Sequence, residues 1–282
     1  MKPSIETIDF HGLAAFKLNG PKGSSAIISK LGGQVLSWIT PDGRERLYLS
    51  ECAVFDGSVA IRGGIPVCFP QFSDLGELPK HGFVRTRQWI TNAERCADDY
   101  ALVTLQISND ESTLALWPHM FTAEITVMLE VDRIDVEFCV TNTGSAPFDF
   151  TCALHSYLRQ TQVEDVSVEG LYGHHFRDAT KDNQIIRDSG IELVIEQEVD
   201  RVYHDVQRPQ QVNAGNLSLT IENQTFPDVV IWNPWVERCA ELKDMPDDDW
   251  KHMLCIEAAV AQHPVTLPAG EEWYGRQTLI VA

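Results

Sequence analysis

Glu257 interrupts an otherwise apolar stretch, His252–Val260 (HMLCIEAAV), and strand geometry puts it on one face with Met253, Cys255 and Ala259. A lone ionised carboxylate is strongly disfavoured in such surroundings, so this Glu belongs either to a structural ion pair or to a group poised for proton transfer. His155 lies in a second strand-like run, Phe148–Leu158 (FDFTCALHSYL). Alternation there places Phe148, Phe150, Cys152 and Leu154 on one face and Asp149, Thr151, Ala153, His155 and Tyr157 on the other. On that mixed face His155 is either a solvent-exposed bystander or, beside Tyr157, part of a lined pocket. Taken together, His155 and Glu257 offer an acid/base pair of two chemical types.

The segment Val59–Ile90 is the third feature. Arg62, Lys80, Arg85 and Arg87 meet only Asp74 and Glu77 there, a local +2 in a chain of −19. Gly63-Gly64, Pro66, Pro70 and Pro79 mark a shaped loop, and a Gly-Gly pair lets backbone approach a ligand closely. On charge alone the stretch is either a basic surface patch answering acids elsewhere or an anion site built from Arg side chains. The phosphate-loop patterns G-x-x-x-x-G-K-[ST] and G-x-G-x-x-G are absent, as are H-E-x-x-H, G-x-S-x-G and calcium-loop patterns. His174 and His175 are adjacent, so on a strand they point to opposite faces, which speaks against zinc ligation. The acidic run Asp244–Asp249 (DMPDDD) reads as a solvated loop.

Strands must position these groups. From Ile125 to Val131 the odd positions are apolar, and after Asp132-Arg133 the pattern resumes as Ile134, Val136, Phe138 and Val140, which predicts a hairpin. Further short strands are expected at Ser25–Ser29, Gln34–Ile39, Leu102–Ile107, Phe148–Leu158, Leu217–Ile221 and Val229–Trp232, and no long 3.6-residue period competes with them. This pattern predicts an all-β fold, a large antiparallel sandwich or barrel. Without a dividing linker or an internal repeat, residues 1–282 are expected to form a single domain.

The composition limits the partners. Of 282 residues, 44% are apolar, enough for a sizeable core, while 22 Lys+Arg against 41 Asp+Glu leave a net charge of −19. Such a surface repels nucleic-acid phosphates and anionic lipid. No run approaches the ~18 apolar residues of a membrane span, and MKPSIETIDFHG lacks the apolar core of a secretory signal. Seven scattered cysteines, never spaced C-x-x-C, read as reduced core residues, so a cytoplasmic location is expected.

Six strings occur in order along the chain: Arg62–Pro70 (RGGIPVCFP), Lys80–Arg85 (KHGFVR), His155–Leu158 (HSYL), Glu198–Tyr203 (EVDRVY), Val230–Trp235 (VIWNPW) and Cys255–Ala258 (CIEA). Together they resemble the glucose-6-phosphate 1-epimerase family, the D-hexose-6-phosphate mutarotases of the aldose 1-epimerase superfamily. The resemblance implies a galactose mutarotase-like fold, one large antiparallel β-sandwich, in agreement with the strand pattern. It places the general acid on His155 and the general base on Glu257, and lines the sugar pocket with Arg62, Gln71, His81, Arg85 and Asp200. Lys80 and Arg87 flank the matched motif without an assigned role. Phe69 and Phe72 stand where relatives are expected to carry more tryptophan, a departure that touches ring stacking.

Interconverting α and β anomers requires removing the C1 hydroxyl proton while a proton reaches the ring oxygen; the open aldehyde then rotates and closes on its other face. Glu257 as carboxylate and His155 as imidazolium could do both, with the roles reversed on closure. The two are expected to face one another across a pocket. No metal or cofactor is needed, the expected partner is a small phosphosugar bound through Arg62 and Arg85, and a monomer is favoured over an oligomer. Two alternatives stand beside this reading: an epimerase of unphosphorylated aldoses and a non-catalytic carbohydrate-binding protein. The presence of both His155 and Glu257 argues against the second. Glycoside hydrolysis ordinarily needs two carboxylates flanking the bond, which this pair does not supply.

Overall fold

The alternating segments become antiparallel strands of three sheets in a computed structural model, which describes residues 2–215 and 217–281. Ser4–Phe10, Leu13–Asn19, Ser25–Ser29 and Val35–Ile39 form a four-stranded meander. A nine-stranded sheet contains the expected hairpin, Phe121–Leu129 with Arg133–Asn142, and every odd position from 121 to 129 is buried. Its buried face packs on an eight-stranded sheet with Met253–Leu267 near the middle. Phe69 fills the space between: its ring lies 5.4–5.6 Å from those of Trp117, Phe121, Phe138 and Phe150. Phe69 is therefore a core residue with no sugar to stack on; truncating such a ring costs about 3–5 kcal/mol. Phe72, by contrast, lines the pocket described below.

The central strand explains why the catalytic candidates meet. All residues from Met253 to Ala261 are buried, so the strand is covered on both faces and Glu257 cannot reach bulk water. One edge pairs with Asp228–Asn233 and the other with two short strands, Phe148–Leu154 and Tyr157–Arg159, where the sequence pattern predicts one. The break falls at His155-Ser156 because a loop takes over the bonding: His155 N donates to Pro66 O and Tyr157 N to Gly64 O, both at 2.9 Å. Leu154 pairs with Ala258 and Tyr157 with Cys255, so the register on either side of the break sets His155 opposite Glu257. Cross-strand neighbours share a face. A bulge between Phe150 and Cys152 also interrupts the expected alternation, and Ala153, Leu154 and His155 are all buried.

Gly63 and Gly64 shape that loop at φ +116° and +63°. A Cβ on Gly64 would lie 2.1 Å from Val35 O, and one on Gly63 2.4 Å from Tyr48 O. The Gly-Gly pair thus lets the chain approach itself, rather than a ligand as its sequence suggests. No helix among the described residues is long and apolar enough to cross a membrane.

Candidate active site

His155 Nδ1 lies 3.3 Å from Glu257 Oε1, in direct contact rather than across a pocket, and a cavity of about 330 Å³ opens on both residues. The contact is not aligned as a hydrogen bond, which leaves His155 Nδ1 buried without a partner, and Glu257 Oε2 is buried without one as well. Orphaned buried polar atoms are uncommon in folded proteins, and here they belong to two residues that line the cavity. Tyr157 stacks on the His155 ring at 4.7 Å with planes 9° apart, which fixes the imidazole plane.

Burial governs the electrostatics. It pushes Glu257 well above the usual carboxylate range, helped by nearby Asp200 and opposed by Lys80 and Arg85. It also holds His155 well below its ordinary value, and His81, Arg62 and Arg85 add to that effect. Burial thus favours the neutral form of each group, a protonated Glu257 carboxyl and a neutral His155, over the expected carboxylate and imidazolium. The proton count is the same in both arrangements, and the titration belongs to the pair.

His81 is held at φ +65° beside the pair, its ring 5.5 Å from that of His155. Its Nδ1 accepts from Ser73 N at 3.3 Å, which leaves the neutral ring's proton on Nε2. Burial, followed by Arg85, Lys80 and Arg62, pushes its pKa down to about 3, so His81 is a neutral hydrogen-bond donor across the physiological range. Cys255 Sγ joins His155 and Glu257 in a set of three ligand atoms within 4.8 Å of one another, the one such set among the described residues. Burial raises the thiol well above its ordinary value, and a thiol must ionise before it ligates a metal.

The family model for aldose 1-epimerase matches residues 14–279. This chain belongs to the aldose 1-epimerase family. A protein of Cenchrus ciliaris provisionally named a glucose-6-phosphate 1-epimerase is 35% identical over 280 residues, covering 95% of this chain and 84% of the relative. One of Escherichia coli with the same provisional name is 34% identical over 235 residues, covering 82% and 78%. The crystal structure of a Salmonella typhimurium protein, provisionally named a mutarotase, superposes with a TM-score of 0.91 at 28% identity, covering 100% of this chain and 94% of that one. A galactose mutarotase-like protein of Clostridium acetobutylicum, 16% identical, shares the fold at a TM-score of 0.81, covering 100% and 99%.

In this epimerase-family chain the cavity gathers Arg62, His81, Arg85, His155, Asp200 and Glu257, but not Gln71. Gln71 Nε2 donates to Ser73 O and Leu78 O at 3.1 Å each, while its Oε1 accepts from Leu78 N at 3.0 Å. It braces the loop that carries His81. Arg62 is already occupied: Nε and one terminal nitrogen donate to Asp244 at 3.2 Å each, and the other donates to Tyr157 Oη at 2.9 Å. Lys80 and Arg85 also line the cavity, and no described carboxylate lies within 4.0 Å of either. Arg87 turns away to Asp110 at 3.5 Å.

Sequence reading missed Asp244, Trp232 and Glu198. Trp232 and Glu198 line the cavity, and Asp244 grips Arg62 from the acidic run read as a solvated loop. Asp249 of the same run accepts from Tyr48 Oη at 2.6 Å. Trp232 and Glu198 fall inside or at the end of matched strings, a signal that was available. Asp244 and Arg62 are 182 positions apart, and nothing local marks their pairing.

Proposed function

We propose that this chain, as one domain over residues 1–282, is a cofactor-free hexose-6-phosphate mutarotase that opens and recloses the sugar ring by proton transfer. The observation that carries the reading is the buried His155–Glu257 contact in the wall of a cavity that is also lined by two cations with no described carboxylate partner. A C1 hydroxyl donating to Glu257 and a ring oxygen accepting from His155 favour the charged forms that burial suppresses. A phosphate dianion offsets Lys80 and Arg85, easing protonation of His155. Bound sugar thus moves the pair's proton from Glu257 to His155, which protonates O5 while Glu257 removes the O1 proton. After the aldehyde rotates, both transfers run backwards.

Arg85 and Lys80 hold the phosphate, Lys80 replacing Arg62 in that role because Asp244 already neutralises Arg62. Asp200 and the Nε2 proton of His81 hold ring hydroxyls. A small phosphosugar in the cytoplasm is the partner. The decay of pure α-anomer is followed by NMR for glucose 6-phosphate, mannose 6-phosphate and glucose, with the spontaneous rate subtracted. The phosphorylated sugars are expected to relax far faster. Equal acceleration of plain glucose would point to a neutral-aldose epimerase, and no acceleration of any sugar to a binding protein.

A further inference from the structure

Of the four cations lining the cavity, Arg62 and Arg238 are paired with carboxylates, and the two pairs differ. Arg238 reaches Glu241 on the exposed side of the short helix Trp235–Glu241, where water screens both charges. Arg62 and Asp244 are mostly buried, each side chain 22% exposed, with two N–H···O contacts at 3.2 Å in the bidentate manner. Asp244 is itself fixed, since its carbonyl accepts from Ser50 Oγ at 2.7 Å. The remaining Arg62 nitrogen reaches Tyr157, the ring that stacks on His155. A guanidinium beside the reacting pair is a strong phosphate ligand unless something occupies it.

We propose that Asp244 is a positioning residue of this pocket: by cancelling and occupying Arg62 it removes a competing phosphate site beside His155 and Glu257, so that a hexose 6-phosphate enters with its anomeric end against the pair. The inference rests on Lys80 and Arg85 being the phosphate ligands. With Asp244 in place the pocket holds one free anion site, and the dianion has one way to lie. Without the Asp244 charge, Arg62 becomes a second site next to the reacting groups, and substrate bound phosphate-first cannot react. Unproductive binding lowers kcat and KM together, whereas loosened packing raises KM and lowers Tm.

Asp244→Asn is nearly isosteric and removes only the charge. It is expected to lower kcat for glucose 6-phosphate about tenfold with a parallel fall in KM, to change kcat/KM for plain glucose little, and to tighten competitive inhibition by inorganic phosphate about tenfold. Adding Arg62→Gln to Asp244→Asn removes the released charge and is expected to return the phosphate inhibition constant to the wild-type value, a coupling that a double-mutant cycle reads directly. Unchanged phosphate inhibition in Asp244→Asn would overturn the proposal, as would equal losses for phosphorylated and plain sugars with a lowered Tm. Wild-type phosphate inhibition in a Lys80→Ala/Arg85→Ala variant would instead remove the phosphate reading on which the proposal rests, whatever Asp244→Asn does.

Discussion

Among the described residues are two buried histidine–carboxylate pairs whose carboxylates lie on two adjacent, paired strands. Glu257 pairs across the ladder with Val230, and Asp228 with Ala259 two positions further along. His155 Nδ1 lies 3.3 Å from Glu257, and His204 Nδ1 lies 3.6 Å from Asp228. The environments then diverge. Asp228 Oδ2 accepts from Ala261 N and Gln262 N at 2.8 Å each, so backbone donors satisfy that carboxylate in place. Glu257 has no backbone donor, its Oε2 has no partner, and the cavity opens on it; neither His204 nor Asp228 lines that cavity. Similar residue types thus serve as a strand clamp in one place and as a proton-transfer pair in the other. What separates them is the carboxylate: backbone N–H groups hold that of Asp228 away from the cavity, whereas Glu257 has no such donor and lines it. Both rings keep nitrogens without a partner, His155 at Nδ1 and His204 at Nδ1 and Nε2.

Replacing each pair in turn tests that division most severely. Glu257→Gln and His155→Asn are expected to lower kcat by roughly 10²–10⁴-fold with the fold intact. Asp228→Ala leaves kcat near the wild-type value and lowers Tm, because the buried Ala261 N–H loses its acceptor at about 1–3 kcal/mol and the part-buried Gln262 N–H loses one too. Steady-state kinetics beside thermal melts separate the outcomes. An Asp228 variant as inactive as the Glu257 variant, at unchanged Tm, would erase the distinction.

A smaller effect concerns the cations around the catalytic pair. Lys80→Ala and Arg85→Ala are each expected to lower kcat/KM for glucose 6-phosphate by roughly 10–100-fold, since hydrogen bonds to charged groups contribute about 1.5–3 kcal/mol. Plain glucose should be affected much less. Arg87→Ala serves as the control, being turned toward Asp110, and should match the wild type on both sugars. Loss of glucose turnover equal to that of the phosphate ester would assign Lys80 and Arg85 to the ring instead.

Next comes the pH dependence. The active pair carries one proton, so kcat/KM is bell-shaped. On the acidic side a second proton reaches His155, whose affinity for it is depressed by burial; that limb lies below the ordinary value of about 6.5. On the alkaline side the last proton leaves, and burial of Glu257 places that limb above the ordinary carboxylate range. Plain glucose must be measured as well, because a phosphate ester titrates near pH ~6 itself. An acidic limb at or above 6.5 would show that His155 is not held neutral.

Stability should record the same burial with the smallest amplitude. Glu257 has a raised folded-state pKa, so its contribution is fully present below the ordinary carboxylate value and is lost as pH rises toward the raised one. Glu257→Gln lacks that loss. Its Tm relative to wild type is expected to climb as pH rises from about 4 toward 8. A gap that closes with rising pH would mean that Glu257 is ionised in the empty pocket.

Much of this was legible in the chain itself. Alternation at positions 125–140 dictates a half-buried hairpin, since a strand with one dry face must alternate, and the structure has that hairpin, begun four residues earlier at Phe121. The carboxyl of Glu257 within an apolar run already announces a group that is paired or reactive. Tertiary structure decided the rest. His155 and Glu257 become neighbours only through the register of two strands with the break between them, and long-range register leaves no trace in local composition. The direction in which each member of the pair is shifted follows from desolvation in the fold, which no count of charges reveals. Arg62 and Asp244 carry opposite charges in any reading of the sequence. Only the folded chain brings them together, occupying one cation and leaving Lys80 and Arg85 without a described carboxylate partner beside the cavity.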